Sequence, residues 1–287
     1  MNLLCAVKKI GTNAYAKERY GINMDELQAN KYFLFRNTEN LPNLGADAHY
    51  HSYFEIYCLT GGGADSFVDN KLYNLQLGDV VVIPPGAIHG THYSTERHGR
   101  ILVNFTFHYI PKSLVEPLSG QAFLYRCEET REDVARIFEK IGKEYEAPDG
   151  FSEEAIRSLL AQLVIMVVRH VRGDAPAAPA NSFIETVVNY VQNNYRNSFS
   201  LEDVARECRI SKVHLSRNFK KKTGIGLSQY ISIYRMKKAK ELLLVQNKMS
   251  ICDVAYDCGF NDSNYFSWLF KKTYGVTPLQ YRKNTKG

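Results

Sequence analysis

The stretch from Leu201 to Gly275 holds the same module twice, and this duplication restricts the fold more than any other feature of the chain. A shift of 50 residues lays Leu201-Glu-Asp-Val-Ala-Arg-Glu-Cys208 over Ile251-Cys-Asp-Val-Ala-Tyr-Asp-Cys258. After one extra residue in the second copy, Ser211-Lys-Val-His-Leu-Ser-Arg-Asn-Phe-Lys-Lys221 lies over Asp262-Ser-Asn-Tyr-Phe-Ser-Trp-Leu-Phe-Lys-Lys272, and Gly224 over Gly275. Each copy predicts a short helix, a tight turn and a second helix. Leu201, Val204, Ala205 and Cys208 recur at helical spacing, and Ala205 is small enough for a partner helix to approach closely. Ser211 and Asp262 offer side-chain oxygens to cap the second helices, on which Leu215 and Phe219, then Phe266 and Phe270, point inward. The outward positions are Lys212, Val213, Ser216, Arg217 and Lys220 in one copy and Ser263, Asn264, Ser267, Trp268 and Lys271 in the other. A helix-turn-helix presents its reading helix to the major groove in this way.

Between the copies, Leu227 to Gln246 predicts one continuous helix with Tyr230, Ile231, Tyr234, Met236, Ala239, Leu242 and Leu243 as its apolar positions. About twenty residues at roughly 1.5 Å each would hold the two reading helices roughly 30 Å apart. That is close to one turn of B-DNA, roughly 34 Å, so both helices would meet successive major grooves on one face. Charge agrees with this. From Ser182 onward the chain carries 18 Lys and Arg against 8 Asp and Glu, whereas the preceding part carries 18 against 22. A polyanion partner therefore belongs to the tail and not to the front.

The block Ala255-Tyr-Asp-Cys-Gly-Phe-Asn-Asp-Ser-Asn-Tyr-Phe-Ser-Trp-Leu-Phe-Lys-Lys-Thr-Tyr-Gly-Val-Thr-Pro-Leu-Gln-Tyr-Arg282 resembles the signature of AraC-type transcription regulators, and Arg235 with Ala239, Leu242 and Leu243 resembles their linker helix. The resemblance implies base-reading positions at Val213, Ser216 and Arg217, then Ser263, Asn264 and Trp268. Trp268 departs from the family pattern, since Arg is common there and an indole cannot make a bidentate guanine contact. Ser267 is read as a further base or phosphate contact, and Lys220, Lys221, Lys271 and Lys272 as phosphate contacts near the helix C-termini.

With 45% hydrophobic residues in 287, the chain has room for a second core ahead of the duplication. Short β-branched and aromatic runs fill Tyr32 to about Tyr125: Tyr32-Phe-Leu-Phe35, Phe54-Glu-Ile-Tyr-Cys-Leu59, Val80-Val-Val-Ile83 and Ile101-Leu-Val-Asn-Phe-Thr-Phe107, with turns at Gly61-Gly-Gly63 and Asp69-Asn70. This pattern predicts a small barrel or jelly roll. His49-x-His51-x-x-x-Glu55, and Gly78-Asp-Val-Val-Val-Ile-Pro84-Pro-Gly86-Ala-Ile-His89, resemble the two motifs of the cupin barrel, with Gly45 displaced and Tyr93 in place of a frequent Asn. In metal-binding cupins the ligands fall at the positions of His49, His51, Glu55 and His89. Such a set suits Fe(II), Mn(II), Ni(II) or Zn(II) with open positions. Regulators built on this frame bind a small molecule instead, so the expectation is an effector site of His49, His51, Glu55, Tyr57 and His89, without a cofactor. Tyr57 shares the strand face of Glu55; Asn104 and Phe107 are further candidates.

Two amphipathic helices follow, Arg131 to Glu146 and Glu153 to Arg172. Their broad apolar stripe either covers the barrel wall or forms a dimer seam, the second being what the resemblance implies. Gly173-Asp-Ala-Pro-Ala-Ala-Pro-Ala-Asn181 reads as a semi-rigid linker. The expected fold is therefore α+β: a cupin-like β-barrel (double-stranded β-helix) over 1–130, a helical hairpin over 131–172, a linker over 173–181, and an all-α domain with two helix-turn-helix motifs over 182–287. Residues 1 to about 30 are expected as an irregular arm. The cysteines at 5, 58, 127, 208, 252 and 258 form no C-x-x-C pair and read as reduced thiols, with Cys208 and Cys258 as matching core positions. Leu3-Leu4-Cys5-Ala6 lacks the basic region of a leader, and Leu159 to Val168 is too short to span a bilayer. The reading is a cytoplasmic, effector-controlled DNA-binding regulator, an activator and homodimer that meets RNA polymerase, with a sugar as the family-level effector. The alternative is a metal-dependent cupin enzyme with an accessory DNA-binding domain.

Overall fold

The computed structural model describes residues 33–43, 48–118, 122–126, 128–174, 182–245 and 248–284. The expected arm, Cys5, Gly45, Cys127 and linker residues 175–181 lie outside them. Among the described residues, strands β1 (Phe33–Pro42), β2 (Phe54–Gly61), β3 (Ala64–Val68), β4 (Lys71–Leu75), β5 (Val80–Ile83), β6 (His89–Tyr93), β7 (Arg97–Phe105) and β8 (Phe123–Tyr125) build two antiparallel sheets. One runs β1-β7-β2-β5-β8 and the other β4-β3-β6.

Strand alternation gives each sheet two uses. In β2, Phe54, Ile56 and Cys58 join a core with α2 (Arg131–Glu146) and α3 (Ser152–Asp174), on the outer side of the larger sheet. Tyr57 and Leu59 turn the other way, into a second core with Val68, Tyr73, Leu75, Val81 and Ile83 between the sheets. Val80 and Val82 likewise pack outward while Val81 and Ile83 pack inward, which is why β5 is apolar throughout. The expected hairpin at Asp69-Asn70 joins β3 to β4, with Asp69 at φ 52. Asp69 also accepts a 2.9 Å hydrogen bond from the Ile88 amide.

The α2 helix has the bounds the sequence predicts. The α3 helix runs on to Asp174, into the stretch expected as linker, because Gly173 weakens a helix without stopping it. Its stripe of Ile156, Leu160, Leu163, Val164 and Val167 is buried in one core with Ile56, Val82, Val103 and Phe105. The core takes up these positions, while Leu159 and Val168 of the same face stay half-buried. Before these, a short α1 (Lys112–Leu118) follows β7. No helix of the described residues is long and apolar enough to cross a membrane.

The C-terminal domain is helical: α4 (Ser182–Asn194), α5 (Leu201–Glu207), α6 (Lys212–Thr223), α7 (Leu227–Val245), α8 (Ile251–Asp257), α9 (Ser263–Tyr274) and α10 (Pro278–Asn284). The duplication repeats down to the caps. Ser200 with Asp203 and Ser250 with Asp253 form capping boxes at α5 and α8. Ser211 and Asp262 cap α6 and α9, and Gly224 (φ 80) and Gly275 (φ 77) close them in the left-handed conformation. Between the two halves, α7 is shared. Leu227, Tyr230 and Tyr234 enter one core with Val204, Ala205, Leu215 and Phe219, and Met236, Ala239 and Leu243 enter another with Val254, Ala255, Phe266 and Phe270. Cys258 is buried in the second core, whereas Cys208 is only half-buried at the rim of the first.

The turns inside the two copies differ in one informative place. Arg209 sits at φ 55 and its counterpart Gly259 at φ 81, where an added Cβ would overlap the Tyr195 carbonyl oxygen. Gly259→Ala is therefore expected to cost at least about 3 kcal/mol, and Arg209→Gly to relieve up to about 1 kcal/mol. Urea unfolding of the full chain checks both signs.

Candidate functional site

The exposed faces of α6 and α9 carry the residues that the sequence marks for DNA. Val213 (68% exposed), Arg217, Lys220 and Lys221 are open to solvent on α6, and Ser216 is half-buried beside them. On α9, Asn264, Trp268, Lys271 and Lys272 are exposed and Ser263 and Ser267 are half-buried. Spacings of three, four and seven residues put each set on one helical face. The lysines sit in the last turns, where the helix dipole favours cations. Lys212 is drawn back by a 2.7 Å ion pair with Glu202. Lys272 lies 5.0 Å over the Trp268 ring, and Tyr265 stacks on the same indole at 5.9 Å, so Trp268 is the centre of an aromatic and cationic surface. Arg235 of the linker-helix resemblance faces inward: it donates to the carbonyls of Tyr195 (2.9 Å) and Asn197 (3.0 Å).

In the sheet domain the structure brings His49, His51, His89 and Glu55 together. The three imidazoles place one nitrogen each within 4.8 Å of one another. Glu55 projects from β2 between them, 3.5 Å from His51 Nε2 and 3.8 Å from His89 Nε2. Each of these two rings is oriented from behind. His51 Nδ1 lies 2.9 Å from the Tyr53 carbonyl and His89 Nδ1 lies 2.9 Å from the Ala87 carbonyl. A carbonyl only accepts, so both Nδ1 atoms carry the proton and both Nε2 atoms face the carboxylate. Tyr53 also stacks on His51 with centroids 3.9 Å apart. Burial foremost, with His49 and His51 beside it, lowers the His89 pKa to about 3 and keeps the ring neutral. For Glu55, burial raises the carboxyl, and the facing His51, then His89 and His49, lower it only when a ring carries protons on both nitrogens.

Tyr57 shares the inward face of β2 but serves a different group. Its hydroxyl donates to Tyr93 (3.3 Å), to which Arg100 also donates (3.0 Å), and the Tyr93 ring stacks on His98. Two inward polar atoms escaped the sequence reading or stood at its margin: Ser66 Oγ and Asn104 Oδ1 are buried with no hydrogen-bond partner. Asn104 lies directly opposite Glu55 on the neighbouring strand. Strand alternation was the signal for both, since each sits in register with an inward residue. Phe107, by contrast, is 57% exposed and lies outside this space.

What sequence reasoning missed is the seam between the two domains. Ala48, Phe67 and Ile88 of the sheet domain are buried in the same core as Leu215, Phe219 and Tyr230 of the helical domain. The Phe67 ring stands 6.4 Å from Phe219 and 6.0 Å from Tyr230, and Tyr50 meets Tyr274 hydroxyl to hydroxyl. His49 and His89 pair as a backbone bridge, with both amide bonds at 2.9 Å. Along 48–51, therefore, Ala48 and Tyr50 face the helical domain while His49 and His51 face the cluster, and the same split separates Ile88 from His89.

Comparison with known proteins agrees with both halves. The AraC-like ligand binding domain family matches residues 34–164, and a helix-turn-helix domain family matches residues 204–284. The chain belongs to the AraC-type transcription regulators. It is similar to the HTH-type transcriptional activator RhaR of Salmonella dublin, 25% identical over 248 residues that cover 82% of this chain and 86% of that protein. RhaR of Yersinia pseudotuberculosis is 27% identical over 261 residues, covering 86% and 88%. The C-terminal domain of the response regulator yesN from Fusobacterium nucleatum is 38% identical, with a TM-score of 0.33, over 34% of this chain and 95% of that one. As an AraC-type regulator the chain binds DNA and carries a ligand-binding domain. The His-Glu cluster falls inside the first matched segment, and every residue of the α6 and α9 faces falls inside the second.

Phe67→Ala is expected to remove about 3–5 kcal/mol, because a fully buried ring leaves a cavity at the seam. Scanning calorimetry is expected to show the single cooperative transition dividing into two as the domains lose their shared core.

Proposed function

We propose that this regulator reads DNA with α6 and α9 as the second helices of two helix-turn-helix motifs, and that a small polar effector held between the two sheets governs how that reader is presented. The sheets are read as a cupin-type barrel over 1–130, followed by a helical hairpin over 131–172, a linker over 173–181 and the reader over 182–287. The observation that carries the reading is the seam: the walls of the polar interior and the core behind α6 share the backbone of residues 48–51 and 88–89. A ligand that shifts those strands biases the reader directly, as population shift requires.

In this reading Arg217 makes the principal base contact, to guanine O6 and N7. Val213, Ser216, Ser263, Asn264, Ser267 and Trp268 add base or backbone contacts, and Lys220, Lys221, Lys271 and Lys272 neutralise phosphates. The 19-residue α7 spans roughly 28 Å, in keeping with successive grooves. The effector, held by His49, His51, Glu55, Tyr57 and His89, is read as a sugar or a comparable polyhydroxylated molecule, which also suits the unpaired Ser66 Oγ and Asn104 Oδ1 facing the same space. The chain is taken as an activator, in line with the RhaR relatives, that is cytoplasmic and contacts RNA polymerase, and as a regulator rather than an enzyme. It is taken also as a homodimer. The helical hairpin over 131–172 is read as the contact between the two copies.

Two substitutions separate reading from neutralisation. Arg217→Ala is expected to lose about 1–3 kcal/mol on the preferred operator and to relax one base position, whereas Lys271→Ala weakens all duplexes alike and lowers the salt slope by about 1. Binding curves on operators selected from random duplexes, at several salt concentrations, check this. An Arg217→Ala protein that matches the parent on every operator variant contradicts the assignment. For the effector, thermal shifts across a panel of sugars and small metabolites are expected to pick out one class.

A further inference from the structure

We propose that Trp268 reads thymine: its indole packs against the 5-methyl group that A·T pairs present in the major groove, so that α9 selects an A·T half-site where α6, through Arg217, selects guanine. The proposal rests on the reading of α6 and α9 as the two groove-entering helices and names what the second of them recognises.

Trp268 lies two residues from Phe266 and two from Phe270, about 200° round the helix from each. Those rings are fully buried, so the indole stands opposite the core, at the middle of the outward face, where the duplication places Arg217 on α6. It is 55% exposed and Tyr265 beside it is 50% exposed. Neither belongs to an apolar core of the described residues, so the pair forms an apolar surface that folding does not use.

In the major groove the bases offer donors and acceptors, and the thymine methyl is the one apolar group among them. Indole has a single N–H donor and no acceptor, so it cannot make a paired contact with a guanine or adenine edge. A methyl group, by contrast, gains from contact with an apolar ring in place of water. Phosphates favour the neighbouring lysines over an aromatic face. Asn264, one turn earlier and also exposed, carries the donor and acceptor that match adenine N6 and N7. Both side chains of this face thus suit the same base pair.

The indole is also held in place. Tyr265, from the turn before, stacks on it with centroids 5.9 Å apart and the rings 29° from parallel, and Lys272, from the turn after, sets Nζ 5.0 Å over the ring. A side chain already gripped by both neighbouring turns loses little freedom on binding. Lys272 remains exposed, so its ammonium can still meet a phosphate at the rim.

The test uses the full chain and a duplex selected from random sequence. Each thymine is replaced in turn by deoxyuridine, which removes the methyl group and keeps the pairing. In one half-site, loss of a single methyl is expected to weaken the parent about fourfold. Trp268→Ala, with folding verified by circular dichroism, is expected to bind the thymine and deoxyuridine forms of that position equally, and Trp268→Arg to prefer guanine there. Trp268 is the only tryptophan of the chain, so its fluorescence can be followed alone. A 5-bromouracil at the sensitive position, with bromine where the methyl stood, is expected to quench it by contact, and bromine at distant thymines is not. That readout needs no variant and decides if the variants do not fold. Equal parent affinity for every thymine and deoxyuridine duplex, a thymine preference that survives in folded Trp268→Ala, or the absence of position-specific quenching overturns the proposal. If Trp268→Ala then weakens all duplexes alike, α9 still stands as a reader that uses the indole on the backbone. If neither Trp268→Ala nor Arg217→Ala alters any affinity, the reading of both helices falls, and the thymine contact with it.

Discussion

The alternation of side chains along residues 48–51 and 88–89 is the constraint on which the rest of this structure depends. A strand has two faces and no third choice. Here one face supplies His49, His51 and His89 to a buried polar cluster, and the other supplies Ala48, Tyr50 and Ile88 to the cores of the helical domain. The two domains are consequently more than neighbours on one chain. Anything that moves the cluster moves part of the packing behind α6.

The helical domain shows a comparable economy. Its duplicated pairs are each too small to enclose a core, and α7 completes both: its N-terminal half fills the first copy and its C-terminal half the second. That double duty explains why its apolar residues are not confined to one stripe. It also makes the helix a fixed spacer, because bending it would disturb both cores. Caps at matching positions, Ser200 with Ser250 and Gly224 with Gly275, set the helix ends independently of what lies on the reading faces. The outer residues are thereby left free to specialise, as the difference between Arg217 and Trp268 illustrates.

The sequence made some of this legible and hid the rest for physical reasons. Caps, turns and helical periodicity are local, so the duplicated unit, the bounds of α2 and the start of α7 at Leu227 could be read directly. The cluster was legible as chemistry, since His49, His51, Glu55 and His89 occur at motif spacing. Its decisive feature was not, because which imidazole nitrogen is bare depends on the carbonyls of Tyr53 and Ala87. Ser66 was hard to single out, as a polar residue in a strand usually faces water. The stripe of α3 fits a sheet or a second copy equally well in pattern, and the fold buries Ile156, Leu160 and Val164 while leaving Leu159 and Val168 half-buried. The seam eluded the reading because Phe67 and Ile88 look like ordinary core residues of their own domain.

Hydrogen–deuterium exchange on the full chain, with the site between the sheets empty and then filled, tests the central claim most directly. The account predicts that amides across residues 48–55 and 88–89 slow together with those of the Phe219 to Tyr234 region, since one core joins them. Slowing confined to the sheet residues, with the helical domain unchanged, would contradict it.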